Sequence, residues 1–200
     1  MLILDPIPEV MIGESDSSTL EPQATGADIG AWFGGLMAHS PASYKAVDRL
    51  LQQVMPDLVD IQNPLIGTEG RRLELRFAKV PDKIRFQDLS SGEKCFLLYG
   101  LVLAARETGE QVFCFWDEPD AHLALSEVGP LMMELRRAFQ KGGQLITTSH
   151  SGEVARKFGD ETTLILSRPS HVEPTIVRRL ADLNIKSDVV DEMTYGMLAP

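Results

Sequence analysis

The segment Gln111-Val-Phe-Cys-Phe-Trp-Asp-Glu-Pro119 runs five apolar residues directly into two carboxylates. An unbroken apolar run of that kind is what a strand covered on both faces requires, and it predicts a parallel sheet flanked by helices. A second run, Gln144-Leu-Ile-Thr-Thr148, ends the same way, in Ser149-His150-Ser151. Ligands of open parallel sheets gather beyond the carboxyl ends of the strands, and neighbouring strands lie about 4.8 Å apart. Asp117, Glu118, Ser149 and His150 are therefore expected to converge on one small site.

Outward from these strands, the pattern alternates between helix and strand. Ser90-Ser91-Gly92 opens a helix running to about Arg106 that is apolar on nearly every face, which predicts burial in the middle of the fold. An amphipathic helix is expected from Leu125 to Phe139, stopped by Lys141-Gly142-Gly143, and a short one from Gly152 to Phe158. Thr162 to Ser167 reads as a third strand with Thr175 to Arg179 as its hairpin partner. Upstream, Leu73, Leu75 and Phe77 alternate along a half-buried strand that Ile84 to Phe86 can join after the Pro81-Asp82 turn. From Ile29 to Met55, apolar residues recur at three-to-four spacing, giving two helices broken near Ser40-Pro41. Residues 1–27, rich in Pro, Ser, Gly and acids, show no sustained period. They read as a loop or ordered tail, with Glu14 to Ser18 expected to be disordered. The order is that of an α/β sandwich without internal repeats. It divides into an acidic loop and helical segment (1–71), a core (72–180) and a tail (181–200).

Composition sets the bounds. With 200 residues and 44% hydrophobic residues the chain can build a core without staples. Cys95 and Cys114 sit in apolar runs and form no C-x-x-C pair, which argues against a disulfide framework or structural zinc and for a reducing compartment. The sequence shows no basic leader and no apolar run long enough to span a membrane, so a soluble, cytoplasmic protein is expected. The net charge is −10, and residues 1–70 hold only Lys45 and Arg49 against ten acids. A polyanion is repelled by that third of the chain, so autonomous nucleic-acid binding is disfavoured, with local patches such as Arg71-Arg72, Arg136-Arg137 and Arg178-Arg179 left open.

An acidic pair at a sheet edge has two natural tasks. One carboxylate holds Mg²⁺, a hard cation that prefers oxygen, and its neighbour accepts a proton from an attacking water. A histidine at the adjoining strand end can contact a terminal phosphate. The start of the Ser90 helix offers backbone N–H groups, hydroxyls and a glycine, the makings of an anion site. Each motif also has a plain structural reading. The acidic pair can be a strand exit before Pro119, Ser149-His150 can cap the next helix, and Ser90 can be an ordinary N-cap with Glu93 in the first turn.

Taken in this order, the motifs are more specific. Leu89-Ser90-Ser91-Gly92-Glu93 resembles the signature of ABC-class ATPases. Phe113 to Leu123 resembles their Walker B strand and D-loop, and Ile146-Thr-Thr-Ser-His150-Ser their switch-histidine strand. Asp-Glu-Pro-Asp-Ala-His-Leu and Thr-Ser-His-Ser are most similar to the group that includes RecF-like proteins and overcoming-lysogenization-defect (OLD) nucleases. The ATPase domains of that group resemble SMC heads and are often classed as AAA-type. The strong match covers about residues 72–168. The resemblance implies a P-loop NTPase sandwich that uses ATP and Mg²⁺ and works as a dimer. It implies Asp117 as the magnesium ligand, Glu118 as catalytic base and His150 as γ-phosphate sensor. Ser90, Ser91, Gly92 and Glu93 would face the nucleotide of a second ATPase unit, and Asp120, Ala121, His122 and Leu123 would form the D-loop. The common Ser-Gly-Gly-Gln core is here Ser-Ser-Gly-Glu, and Ala124 stands where transporter D-loops carry aspartate.

One departure outweighs these. The phosphate-cradling P-loop needs Gly-x-x-x-x-Gly-Lys-[Ser/Thr], and none of the 16 glycines is followed by lysine. The expectation is a partial P-loop NTPase, the carboxyl-terminal part of an ATPase: a truncation, a split-gene half or an incomplete gene model. It would act with a segment or partner chain that supplies Walker A, in DNA repair or phage defence by analogy, with a nuclease or other effector and nucleic acid only indirectly. Two other readings stand beside it. One is a non-catalytic regulatory module that keeps the fold. The other is a metal-dependent hydrolase built on Asp117, Glu118, His122 and His150. A D-loop role is preferred for His122, because His-Glu-x-x-His is absent; His39 and His171 read as surface or turn residues.

Overall fold

The segment Ser91–Glu107 forms a 17-residue helix in which Cys95 to Ala105 are all buried. A helix hidden on every face needs neighbours on every side, and the rest of the chain supplies them. The computed structural model describes residues 1–108, 111–159 and 161–183. In chain order these form β1 (Leu2–Leu4), β2 (Glu14–Ser15), α1 (Ile29–His39), α2 (Tyr44–Val54), β3 (Leu58–Gln62), β4 (Leu65–Ile66), β5 (Gly70–Arg72), β6 (Glu74–Phe77) and β7 (Ile84–Arg85). There follow α3 (Ser91–Glu107), β8 (Phe113–Trp116), α4 (Leu125–Gln140), β9 (Gln144–Thr147), α5 (Gly152–Phe158), β10 (Leu164–Ser167) and β11 (Ile176–Arg179).

The central sheet is parallel, in the order β1-β8-β9, with Ile3 beside Phe115 and Phe115 beside Ile146. Helices α1, α2 and α4 pack against α3, and α2 comes close because Gly100 presents no side chain: a Cβ there would stand 3.2 Å from Val47 Cγ1. On the sheet side, the Tyr99 ring lies 4.5 Å from that of Trp116, tilted by 45°, in direct aromatic contact. Cys114 and Trp116 are buried on this face. An antiparallel sheet, β3-β6-β7, and two smaller antiparallel groups, β2-β5-β4 and β10-β11, complete the described residues. The mixed α/β architecture, with a parallel sheet flanked by helices, is the one expected. The two N-terminal helices, the pairing of β6 with β7 and the β10–β11 hairpin also stand where periodicity put them.

Several local readings need correction. Residues 1–27 are not a loop throughout: Leu2–Leu4 is a strand of the central sheet, and Leu4 is fully buried. Three residues are too few to show a period, and the partner lies more than a hundred positions away. Glu14-Ser15, expected to be disordered, pairs with Arg71 and Arg72. Strand β3 was not anticipated; it pairs with β6, so the sheet crosses the 71/72 boundary. Strand β8 is covered fully on one face only, since Phe113 and Phe115 are half-buried while Cys114 and Trp116 are buried. In the expected C-terminal tail, Leu180–Leu183 is a 3-10 turn, and residues 184–200 lie outside the described residues. Among the described residues, no helix is long and apolar enough to cross a membrane.

The second sheet contains one buried carboxylate. Glu74 accepts from Arg72 Nη2 at 2.7 Å and pairs with Lys83 Nζ at 3.3 Å. The Arg72 hydrogen bond outweighs burial, and with Lys83 it holds the carboxyl below its ordinary 4.5. A carboxyl lowered in the folded state stabilises above its unfolded pKa and loses that contribution as pH falls through the folded value. Wild type should therefore lose more stability than Glu74→Gln as pH drops below about 4.5, read from urea midpoints at a series of acidic pH values; parallel acid limbs would contradict this.

Candidate active site

Strand β8 delivers Asp117 and Glu118 to the carboxyl edge of the parallel sheet. The Asp117 N–H donates to Leu4 O at 2.8 Å, and the Thr148 N–H donates to Trp116 O at 3.2 Å, so the ladder continues one residue past the strand on each side. Thr148 then ties the acidic pair together. Its hydroxyl donates to Asp117 Oδ1 in a short hydrogen bond and accepts from the Glu118 N–H at 3.0 Å. Thr148 was missed by sequence reasoning. Its only signal was its place at the end of the second run, one residue before Ser149; that run, expected to be a buried strand, has no buried residue in the structure.

Glu118 has φ +46°, in the left-handed region that costs a non-glycine residue of this kind roughly 1–3 kcal/mol. The turn aims its carboxylate at His150, with Oε1 3.2 Å from Nε2. Both side chains are open to solvent. Ser149 takes the structural role instead: its hydroxyl accepts from the Ser151 N–H at 2.9 Å. Sequence reasoning placed Asp117, Glu118 and His150 at one edge; in the structure all three lie just past the paired ends of β8 and β9, where Glu118 meets His150 and Asp117 is bonded to Thr148.

The following turn is held from below. Pro119 is buried, and its carbonyl accepts from Tyr99 Oη at 2.7 Å. Burial, followed by the Asp120 charge and Cys95, raises the Tyr99 phenol well above its ordinary value, so the hydroxyl stays protonated as a donor. Ala121 N donates to Glu118 O at 3.0 Å and Leu123 N to Asp120 O at 3.3 Å, closing a tight corner at which His122 has φ +66°. Leu123 packs on the core, and Glu127 accepts from the Ala124 N–H at 2.8 Å to start α4.

The start of α3 meets this corner within the same chain. A Cβ on Gly92 would stand 3.0 Å from His122 O, so the first turn of α3 and the 120–123 turn touch through backbone. Ser90 and Glu93 form a capping box: Glu93 Oε2 accepts from Ser90 N at 2.8 Å and Ser90 Oγ at 2.7 Å, and Ser90 Oγ accepts from Glu93 N at 3.3 Å. This is the plain structural reading of Ser90 and Glu93, and it is realised. The N–H groups of Ser91 and Gly92 are left as the donors a helix start cannot satisfy internally. Lys94 is turned away, its Nζ donating to Pro8 O at 3.1 Å.

Among the described residues, no group of three or more His, Cys, Asp and Glu side chains is placed to share a metal. Asp117, Glu118, His122 and His150 thus do not assemble into one metal cluster. Cys95 and Cys114 are free and buried, and burial pushes their thiols up to about 11 and about 12. They are not reactive thiols.

No family model and no curated protein matches the sequence. Solved structures do match its fold. An Smc head bound to the C-winged helix domain of ScpA superposes with TM-score 0.57 at 17% identity, over 76% of this chain and 47% of that one. The Smc head with coiled coil and joint derived from Pyrococcus yayanosii gives TM-score 0.59 at 17% identity, over 84% of this chain and 30% of that one. A chain from work on ATP-driven dimerization and DNA-stimulated activation of SMC ATPases gives 0.54 at 20%, over 76% of this chain and 93% of that one. The fold is similar to that of these Smc head domains. The chain spans about half the length of the first of these heads and less than a third of the second.

Two outcomes follow from the geometry. Thr148→Val should cost about 1 kcal/mol of stability by leaving Asp117 Oδ1 and the Glu118 N–H without their partner, while Thr148→Ser is near neutral. Glu118→Gly should be stabilising by up to about 1 kcal/mol, because glycine accepts the left-handed turn and the exposed pair with His150 contributes little. Urea unfolding followed by tryptophan fluorescence measures both, and a destabilised Glu118→Gly would show that the turn is not strained.

Proposed function

We propose that this chain is the hydrolytic portion of an ABC-class ATPase, completed by a segment or partner that carries the P-loop. The observation that carries this reading is the pairing of Glu118 with His150 beside Asp117 at one edge of a parallel sheet in an SMC-head-like fold. The donor set suits the cofactor: Mg²⁺ takes one or two carboxylates and keeps waters and phosphate oxygens for its other positions. Asp117 would hold the ion, which supplies charge neutralisation at the phosphates. Glu118 takes the proton from the attacking water. Its left-handed turn lifts the carboxylate off the strand line, and Thr148 fixes the amide behind it. His150, already paired with Glu118, is the contact for the terminal phosphate. Ser91 and Gly92 offer N–H donors to the nucleotide of a second ATPase unit, with Ser90 and Glu93 holding the helix start in shape. A dimer fits the ATP-driven dimerization named for the SMC ATPases that the fold resembles. A role in DNA repair or phage defence follows from the resemblance to RecF-like and OLD proteins. The metal-hydrolase alternative is disfavoured by His122, which lies in the turn after Pro119 and joins no metal cluster.

Phosphoryl transfer depends on positioning and charge stabilisation, and this chain has no Gly-Lys pair to cradle β- and γ-phosphates. Purified alone, it should release phosphate no faster than its Glu118→Gln variant; a faster wild type would refute the need for a P-loop partner. In the completed enzyme, Glu118→Gln should bind ATP and slow single-turnover hydrolysis roughly a hundred- to ten-thousand-fold. His150→Ala should also slow turnover, Ser91→Arg should abolish it without unfolding the chain, and His122→Ala should be mild. Loss of turnover in His122→Ala alone would overturn the assignment.

A further inference from the structure

A cavity of about 510 Å³ opens between helix α1 and the small antiparallel sheet β2-β5-β4, and none of its lining residues comes from the sheet edge that carries Asp117 and Glu118. Its walls are fixed through backbone. Gly30 admits the Gly13 carbonyl, and Gly35 the Thr19 carbonyl, into the space a Cβ would fill, and Thr19 N donates to Ala31 O at 3.1 Å. Strand β2 then pairs with β5, which sets Ser15 opposite Arg71. Phe33 and Met37 give the cavity an apolar side, and Asp16, Asn63, Glu69 and Arg71 give it a polar one. We propose that this cavity binds an amino-acid-like zwitterion, an ammonium and a carboxylate on an apolar body of about leucine size. None of these residues takes part in the proposed ATPase chemistry.

Three features select this ligand. Asn63 Oδ1 is buried and has no hydrogen-bond partner, while the Asn63 carbonyl accepts from Arg71 Nη1 at 3.0 Å and keeps the residue in place. A buried acceptor left unmade is costly, and an ammonium supplies the missing donor. Charge comes next. Asp16, Glu69 and Arg71 all line the cavity, and among the described residues none of them stands in an ion pair. The two carboxylates favour an ammonium, and the Arg71 guanidinium, anchored through one nitrogen, offers its other N–H groups to a carboxylate. A ligand of one charge sign leaves one side of this set unanswered; a zwitterion answers both. The third feature is Gly34. Glycine inside a helix is less favourable than alanine, and the carbonyls admitted at Gly30 and Gly35 account for those two. Gly34 admits none: a Cβ there would meet Asn63 Nδ2 at 3.6 Å and Ser18 Cβ at 3.9 Å, both ordinary contacts. Its missing side chain instead leaves open the space between α1 and Asn63, beside Phe33 and Met37, where an apolar group leaves water. The volume lies within the range of about 300–1,000 Å³ usual for small-molecule sites, and it suits a free amino acid or a short peptide, the two sources of this chemistry.

Isothermal titration calorimetry on the 200-residue chain, with L-leucine, leucinamide, N-acetyl-leucine and dileucine as probes, tests each part. Leucine should bind with Kd below about 1 mM. Leucinamide, which lacks the carboxylate, and N-acetyl-leucine, which lacks the ammonium, should each bind at least about tenfold more weakly. Gly34→Leu fills the cavity from a helix position with room for a side chain, and Asn63→Leu removes the unpaired acceptor at similar size. Both should abolish leucine binding while the melting temperature, followed by circular dichroism, stays at or above that of wild type. Arg71→Met should weaken leucine about tenfold and leave leucinamide unchanged. Tighter binding of dileucine than of leucine assigns the site to a short peptide, and the reverse order to the free amino acid. The proposal is overturned if no probe binds at about 10 mM, or if leucinamide or N-acetyl-leucine matches leucine. It is equally overturned if the folded Gly34→Leu and Asn63→Leu variants bind leucine as wild type does.

Discussion

The burial of one apolar helix organises this protein. Helix α3 has no polar face to give to solvent, so α1, α2, α4 and the central sheet close around it. Tyr99 shows how that burial reaches the site. Its ring packs on Trp116, the last residue of β8, and its hydroxyl donates to Pro119 O just beyond the carboxylates. A buried hydroxyl left unpaired costs about 1–3 kcal/mol, so the bond to Pro119 holds the turn that follows Glu118 to the core.

The same helix begins at Ser90 and Ser91, and its first turn touches the 120–123 turn through Gly92 and His122 O. Two segments thirty residues apart in sequence are thus parts of one rigid corner. The left-handed backbone at Glu118 and His122 belongs to that corner. Backbone strain persists only where surrounding structure over-determines it, and here the determinants are identifiable: Thr148 on the amide of Glu118, Tyr99 beneath Pro119, and the hydrogen bond from Ala121 N to Glu118 O.

The central sheet is asymmetric. One face is closed by the core, while the other presents Ile3, Phe115 and Ile146, and the exposed apolar residues continue in the hairpin, where Leu166 stands opposite Val177. A two-stranded hairpin is marginal by itself in water.

The sequence by itself determined the α/β class, the two helices between Ile29 and Met55, the buried helix, the β8 and β9 strands and the placement of Asp117, Glu118 and His150 past the ends of those strands. These follow from apolar period and from strand ends, which are local properties read over windows of a few residues. Only the tertiary structure decided the rest. Leu2–Leu4 is too short to carry a period and becomes a strand through pairing with β8. Thr148 acts through contacts with the far end of another strand. Glu93, expected at a nucleotide, spends its carboxylate on its own helix start. The uncovered face of β8 was hidden because an apolar run reads the same whether its cover lies within the described chain or outside it. Periodicity reports what a segment needs, and only packing shows which residues meet that need.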